Sequence, residues 1–330
     1  MSKQPKTDNT CCRKTSVGGQ ALIEGIMMMG PRGAAMSVRL PNGEIETEEM
    51  PVKHLRDRFK PAGWPMIRGL VNFVESLSFG FKCMEKSAEK AGIDDDTDPE
   101  KMSKLDRWLS DHFGPKMMAV VSGIALVLGF ALAFLLFMYL PSLLVDLLNK
   151  AVGGVLDAVR PLLEGIVRML IFIAYMFIVS KMPDIHRVFM YHGAEHKTIF
   201  CYEHGLDLTV ENVRKQGRFH PRCGTNFIFV ILIISILVSS LVATLFPALR
   251  DQRLIWMAVK LLILPVVVGI GYEFIRYAGR HDNAFVKILS APGLWMQRIS
   301  TQEPTDDIIE VGIASLKAVI TDNPEDDTIV

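Results

Sequence analysis

Long apolar runs in the central and C-terminal parts of the chain predict four membrane-spanning helices. They cover residues 119–140, 165–180, 227–246 and 254–275. A helix needs about 20 apolar residues to cross the hydrocarbon core of a bilayer. The second run is short and contains Arg168, but it can still cross when extended back to Leu162. The pattern therefore predicts a mainly α-helical, polytopic membrane protein.

The chain before these runs predicts a small α+β piece at residues 15–93. Glycines punctuate the apolar residues between 18 and 33, which indicates tight turns and close backbone packing. Apolar and polar residues alternate on both sides of Asn42-Gly43, which predicts a β-hairpin near residues 36–48. From 65 to 91, apolar residues recur every three or four positions. This helical period predicts an amphipathic helix, which either lies on the membrane surface or, as we favour, packs on the hairpin.

Changes in composition set the remaining boundaries. The polar, basic residues 1–14 predict a disordered N-terminus without a cleaved signal peptide. Residues 94–118 predict a linker and a pre-membrane helix, and the spans then pair as 119–180 and 227–275, separated by a polar loop at 181–226. Residues 276–330 predict a polar tail, in which 304–320 have the spacing of an amphipathic helix.

The charge distribution predicts the orientation. Lysines and arginines are dense before the first span, between the second and third, and after the fourth, and they are scarce in the other two loops. The positive-inside rule then places both termini and residues 181–226 in the cytoplasm, in a multi-pass protein of the cytoplasmic membrane whose first partner is the lipid bilayer. Basic and acidic residues balance at 36 each, so nothing indicates a nucleic-acid partner.

Candidate chemistry is concentrated in residues 192–226, which hold four of the eight histidines and two of the five cysteines. Three short spacings occur there: H-x-x-E-H at His192, Glu195 and His196, C-x-x-H at Cys201 and His204, and H-x-x-C at His220 and Cys223. The first places its side chains on one face of a helix. Imidazole and thiolate are ligands that zinc prefers, so the sequence predicts a divalent metal, most simply zinc.

Two ligand sets are compatible with these spacings. In the first, Cys201, His204, His220 and Cys223 close a four-coordinate structural zinc site. In the second, His192 and His196 hold a catalytic metal with a third ligand from elsewhere and one position open for water. Glu195 is then the general base or orients a ligand.

Two distant carboxylates could join such a site. Glu24 is a possible metal ligand or base, although a solvated or capping role is the simpler interpretation. Glu273 lies at the distance downstream at which peptidases with an H-x-x-E-H motif take their third ligand. The sequence around Glu273 does not resemble those peptidases.

Several long blocks resemble the YqhQ-like bacterial membrane proteins, a domain-of-unknown-function family described as predicted metal-dependent enzymes. The blocks are GGQALIEGIMMMGPRGAAMSVRLPNGEI, YHGAEHKTIFCYEHG, HPRCGTNF, GYEFIRYAGR and PGLWMQRISTQEPTDDIIEVGIASLKAV, between residues 18 and 319. The resemblance implies an integral protein of the cytoplasmic membrane with a metal site on the His, Glu and Cys residues named above. It implies no substrate and no reaction.

Our leading functional hypothesis is a metal-dependent hydrolase that acts on a membrane-proximal substrate from the cytoplasmic side. The alternative is a non-catalytic membrane scaffold, in which a structural zinc site orders a platform for partner proteins.

Overall fold

The structure is a computed structural model, which describes residues 14–52, 55, 59–92, 124, 127–250, 252–281, 283–323 and 325–328. Three predictions fall partly or wholly outside these residues: the disordered N-terminus, the linker with its pre-membrane helix at 94–118, and the start of the first span.

A four-stranded antiparallel sheet begins the described chain. Its strands are β1 (Gly18–Leu22), β2 (Gly25–Gly30), β3 (Gly33–Arg39) and β4 (Ile45–Met50), in that order across the sheet. The predicted hairpin is present as β3 and β4, with Arg39 opposite Ile45 and Gly43 in the turn at a φ of 89°. Glycine tolerates this left-handed conformation at no steric cost. We had predicted only turns where β1 and β2 lie, and glycines in fact occupy the ends of both strands.

Nine helices of five or more residues follow within the described residues. They are α1 (Ile67–Lys90), α2 (Val127–Ala151), α3 (Arg160–Val179), α4 (Pro183–Glu203), α5 (Val210–Arg214), α6 (Gly224–Leu245), α7 (Arg253–Arg280), α8 (Ala284–Ser300) and α9 (Asp306–Val319). Short helical turns occur at Lys60–Gly63, Asp157–Val159 and Pro247–Arg250.

Four of the described helices are long and apolar enough to cross a membrane. They are α2, α3, α6 and the segment Leu254–Ala278 of α7, as the hydrophobic pattern predicts. The first extends past the predicted end at residue 140 and continues through Pro141 to Ala151. A π-helical turn at Leu135–Tyr139 precedes this proline. Such a turn changes the local hydrogen-bond pattern, so the missing N–H of the proline need not end the helix.

The sheet is covered on both faces. On one face, Ile26 and Met28 pack with Ala194 of α4 and with Ile308 and Val311 of α9 in a buried cluster. The C-terminal amphipathic helix, predicted from its spacing, therefore completes the core of the N-terminal sheet. Burial of such apolar side chains contributes about 1.5–3 kcal/mol each.

Helix α1 covers the opposite face of the sheet, where Cys83 packs with Leu22, Met36 and Val38. It also contacts the last span, because the Asn72 amide donates to the Tyr272 hydroxyl at 2.7 Å. The helix thus packs on the sheet, as we favoured, and joins the sheet to the membrane-spanning bundle.

Residues of the predicted polar loop are largely helical. Helix α4 begins at Pro183, with three residues between it and the end of the second span, and continues through the H-x-x-E-H spacing to Glu203. Helix α8, which the apolar pattern did not predict, packs along α6, and Gly293 lies against Asn226. The sheet, α4 and α8 thereby enclose the region between residues 192 and 223.

Candidate metal centre

Three side chains with metal-binding atoms meet where α4 passes the start of α6. His192 and His196 lie one turn apart on α4, and Cys223 immediately precedes α6. Their ligand atoms lie within 4.8 Å of one another, and among the described residues no other group of three or more such side chains does so. The His192 Nε2 atom lies 3.1 Å from the Cys223 sulfur. This spacing is that of side chains around one cation.

Main-chain carbonyl groups fix the orientation of both histidine rings. The Nδ1 atom of His192 lies 2.8 Å from the carbonyl oxygen of Ser300. The Nδ1 atom of His196 lies 2.5 Å from the carbonyl oxygen of Arg218. A carbonyl oxygen can only accept, so each Nδ1 carries the proton and each Nε2 presents a lone pair. Metal-binding histidines usually have their second nitrogen held in this way.

The Nε2 atom of His196 is buried and has no hydrogen-bond partner among the described residues. A buried polar atom without a partner costs about 1–3 kcal/mol. Burial lowers the pKa of His196, so its ring is neutral at physiological pH. A cation at this position would accept the lone pair and remove the cost, so the residues present fit a metal ion.

Cys223 is chemically suited to the same role. Burial alone would raise the pKa of its thiol, but neighbouring groups, among them the hydroxyl and the backbone N–H of Thr225, bring it below its usual value. Thr225 contributes its hydroxyl group at 3.2 Å and its backbone N–H at 3.5 Å from the sulfur. The thiolate is the form of cysteine that binds metals, so these contacts favour the binding form.

Glu195 lies beside the cluster in a cavity of about 380 Å³. The wall opposite α4 is formed by β1, and Thr225 and Ile228 of α6 line another side. Burial raises the pKa of Glu195 to about 7, although a hydrogen bond from the Gly19 N–H acts in the opposite direction.

His220 lies next to the cluster without belonging to it. Its ring centroid is 5.5 Å from that of His196, and its buried Nε2 lies 3.6 Å from Glu203 Oε2, beyond hydrogen-bond distance. Gln297 of α8 holds its main chain, because the amide oxygen accepts from the His220 N–H at 2.7 Å and the amide nitrogen donates to the His220 carbonyl at 2.8 Å.

Cys201 and His204 lie away from the cluster. Cys201 follows His192 by nine residues on one continuous helix, which is about two and a half turns and places it on the opposite face. It packs against Val213 and Ile309, and burial raises the pKa of its thiol to about 11. His204 lies just beyond the helix, where its Nδ1 donates to the Phe200 carbonyl at 2.8 Å.

The set C-x-x-H…H-x-x-C is therefore not brought together. The pair Cys201 and His204 could meet the pair His220 and Cys223 only if the chain turned after Cys201. Helix α4 instead continues to Glu203.

Neither distant carboxylate reaches the cluster. Glu24 accepts a hydrogen bond from the Tyr191 hydroxyl at 3.0 Å and pairs with Arg187. Glu273 accepts two hydrogen bonds from the Arg68 guanidinium at 2.7 and 2.5 Å. Both carboxylates fasten the N-terminal piece to the helices.

Sequence reasoning overlooked Glu203, which organises the neighbouring loop. Its carboxylate accepts from the Thr15 N–H at 2.9 Å and from the Thr15 hydroxyl at 3.0 Å, and it pairs with Arg222. Glu203 lies seven residues after His196, so the helical period places both on one face. That period was an available signal, whereas no local pattern indicates Gln297.

Comparison with known proteins identifies the family. Residues 64–322 match the family described as "Protein of unknown function (DUF1385)", so the chain belongs to that family. The chain is also similar to "Uncharacterized protein YqhQ" of Bacillus subtilis (strain 168), with 33% identity over 308 residues that cover 92% of each protein. No solved structure gave a significant match.

Proposed function

We propose that the protein is a metal-dependent integral membrane enzyme, a hydrolase with a zinc-type divalent ion held by His192, His196 and Cys223. One observation carries the proposal. Both histidines have Nδ1 bound to a main-chain carbonyl, and their Nε2 atoms converge with a cysteine sulfur within 4.8 Å. Side chains packed only for stability do not need two oriented, proton-free ring nitrogens beside a thiol.

The accessible space beside the three side chains supports an enzyme. Catalytic zinc sites use three protein ligands and keep a position open, whereas structural sites have four. A cavity of about 380 Å³ adjoins the cluster. A bound zinc ion lowers the pKa of its water to about 7. The carboxylate of Glu195 lines the same cavity, where it can accept a proton, and the Gly19 N–H holds it in place.

The orientation belongs to the same proposal. We propose that the site and both termini face the cytoplasm, since the described residues contain an even number of candidate spans, four, and the lysines and arginines are dense in the segments that this orientation places there. The substrate is then membrane-proximal, because the cavity is lined by residues at the start of α6. A reporter fused to the C-terminus should be active in the cytoplasm, and activity outside the membrane would reverse the orientation.

One observation favours the alternative, a membrane scaffold with a structural zinc ion. The buried Nε2 of His220 has no hydrogen-bond partner among the described residues, and its ring is 5.5 Å from that of His196. A small shift of this ring would supply a fourth protein ligand and close the site. Cys201 and His204 give the alternative no support, because they lie elsewhere.

Elemental analysis of the detergent-purified protein tests the metal centre. We expect about one equivalent of metal in the wild type and loss of it in His192→Ala and Cys223→Ala. The matched control is Cys201→Ala, which removes a buried thiol of the same helix outside the cluster. Absence of metal above background in the wild type, or equal loss in the control, would overturn the proposal.

Two further variants separate the enzyme from the scaffold. If the site is catalytic, His220→Ala keeps its metal, whereas Glu195→Gln keeps its metal and fails to complement a deletion strain. If the site is closed, His220→Ala loses the metal and Glu195→Gln complements as the wild type does. A chelator should lower the melting temperature of the wild type in either case and leave that of His192→Ala unchanged, since ligand binding stabilises the folded state.

A further inference from the structure

A second cavity, of about 230 Å³, lies on the other side of the residues that border the metal centre. His220 and Arg222 line both cavities and form the wall between them. The rest of the lining comes from the C-terminal end of the last span, from the inner side of α8 and from the end of α4, and includes Phe200, Ile275 and Leu294. The proposed metal chemistry makes no use of this cavity.

Among the charged side chains that line this second cavity, positive charges outnumber negative ones. Lys14, Arg222 and Lys287 line it, together with His281. Among its described lining residues, Glu203 is the single carboxylate, and that carboxylate is already bound by Arg222 and by two hydrogen bonds from Thr15. The excess of positive charge in a partly enclosed space favours an anionic ligand.

The position of the cavity points to the membrane. Ile275 lies in the last turn of the candidate span Leu254–Ala278. The outer side of α8 exposes Phe285 (60%), Ile288 (73%) and Trp295 (51%) at steps of three and seven residues. A helix with such a face lies in the boundary between headgroups and acyl chains, where tryptophan is enriched. The cavity on its inner side is therefore at headgroup level.

We propose that this cavity binds the phosphate group of an anionic membrane lipid. Lys14 and Lys287 neutralise the phosphate, and the acyl chains pass along the apolar side formed by Ile275 and Leu294. The volume is below the roughly 300–1,000 Å³ of sites that enclose a whole small molecule, so only a headgroup enters. Basic pockets between membrane helices bind lipid headgroups by the same interactions. The proposal does not depend on a metal being bound.

Native mass spectrometry of the full-length protein in detergent tests the proposal. We expect one saturable phosphatidylglycerol molecule per chain and no comparable binding of phosphatidylcholine. The double variant Lys14→Gln/Lys287→Gln should weaken phosphatidylglycerol binding roughly 25-fold, since each lysine near an anionic headgroup contributes roughly fivefold. The matched control is Lys215→Gln/Lys317→Gln, which removes two lysines outside the cavity and should bind as the wild type does.

Four results would overturn the proposal. Equal binding of the two lipids would show that charge does not select the ligand. An unchanged affinity in the cavity variant, or the same loss in the control, would show that the lysines do not form the site. If inorganic phosphate alone competes fully at millimolar concentration, the ligand is free phosphate and not a lipid. The metal content of each variant, measured in parallel, reports separately on the neighbouring centre.

Discussion

Replacement of Glu203 by glutamine tests how one buried carboxylate holds the chain around the metal centre. The side chain of Glu203 is 5% exposed and pairs with Arg222, and it anchors Thr15 at the N-terminal end of the described chain. Glutamine keeps the shape but removes the charge. The Arg222 guanidinium would then face a neutral amide oxygen, and the amide nitrogen would take the place of Oε2 beside His220.

The pKa of Glu203 gives the magnitude. Burial alone would raise it, but neighbouring groups that favour the charged form, among them the Arg222 guanidinium and the Thr15 N–H, bring it from 4.5 down to about 2. The free energy that corresponds to this difference is about 3 kcal/mol of stability at neutral pH. For a chain of this size we expect a melting temperature lower by roughly 5–10 °C.

The contribution of Glu203 to the stability of the folded chain depends on pH in one direction only. The pKa of Glu203 is lower in the folded state than in the unfolded state, so its contribution to stability is complete above the unfolded value of 4.5 and is lost as the pH falls through about 2. The difference in melting temperature between wild type and Glu203→Gln should therefore be constant from pH 8 to about pH 5 and should shrink below about pH 4.

Thermal unfolding in detergent, followed by intrinsic fluorescence, measures this difference. Glu211→Gln is the matched control, because its carboxylate pairs with Lys215 on the surface and exposed pairs contribute little. The control should melt with the wild type. If Glu203→Gln also melts with the wild type at pH 7, or if the difference grows on acidification, the ion pair does not stabilise the folded chain and the reasoning is wrong.

Two other substitutions test the packing around the site. In Gly293→Ala the new methyl group would overlap the side chain of Asn226 and lie 2.7 Å from its Cα. We therefore expect the free energy of unfolding to fall by about 1–3 kcal/mol, with a lower melting temperature. The control Gly217→Ala places its methyl group where no atom lies within 4 Å, so its stability should equal that of the wild type. In the spanning bundle, Lys260→Met leaves the buried carboxylate of Glu164 without its lysine partner and should lower the free energy of unfolding by about 3 kcal/mol. The double variant Lys260→Met/Glu164→Leu should recover most of that loss in the same melting assay. If it recovers nothing, the two residues do not act as a charge pair.

Much of the fold follows from periodicity, and the exceptions have identifiable causes. The apolar runs, the Asn42-Gly43 turn and the three- and four-residue spacing of α1 and α9 are local signals, and local signals predict local structure. Strands β1 and β2 were missed because their glycines indicate turns, although Met27 and Met28 of β2 are buried between α1 and α9. Neighbouring elements there override local preference.

The candidate site shows more clearly which contacts the spacing of residues along the sequence cannot predict. His192 and His196 are one turn apart, so their proximity is a property of the helix itself. Cys223 joins them only because α6 begins beside α4, which no short spacing encodes. The same helical period that joins the two histidines places Cys201 on the opposite face, because α4 continues past residue 200.

The two carbonyl groups that hold the histidine rings belong to the main chain, at Arg218 and Ser300. Every residue type presents the same carbonyl oxygen, so this control of ring orientation places no requirement on the side chains at those positions. Homologous chains can therefore replace both residues and still present the same two nitrogens. An insertion or deletion between 215 and 223 or between 300 and 304 would instead move the carbonyls away. In this family, a change in loop length is a better indication of a lost centre than a substitution at either position.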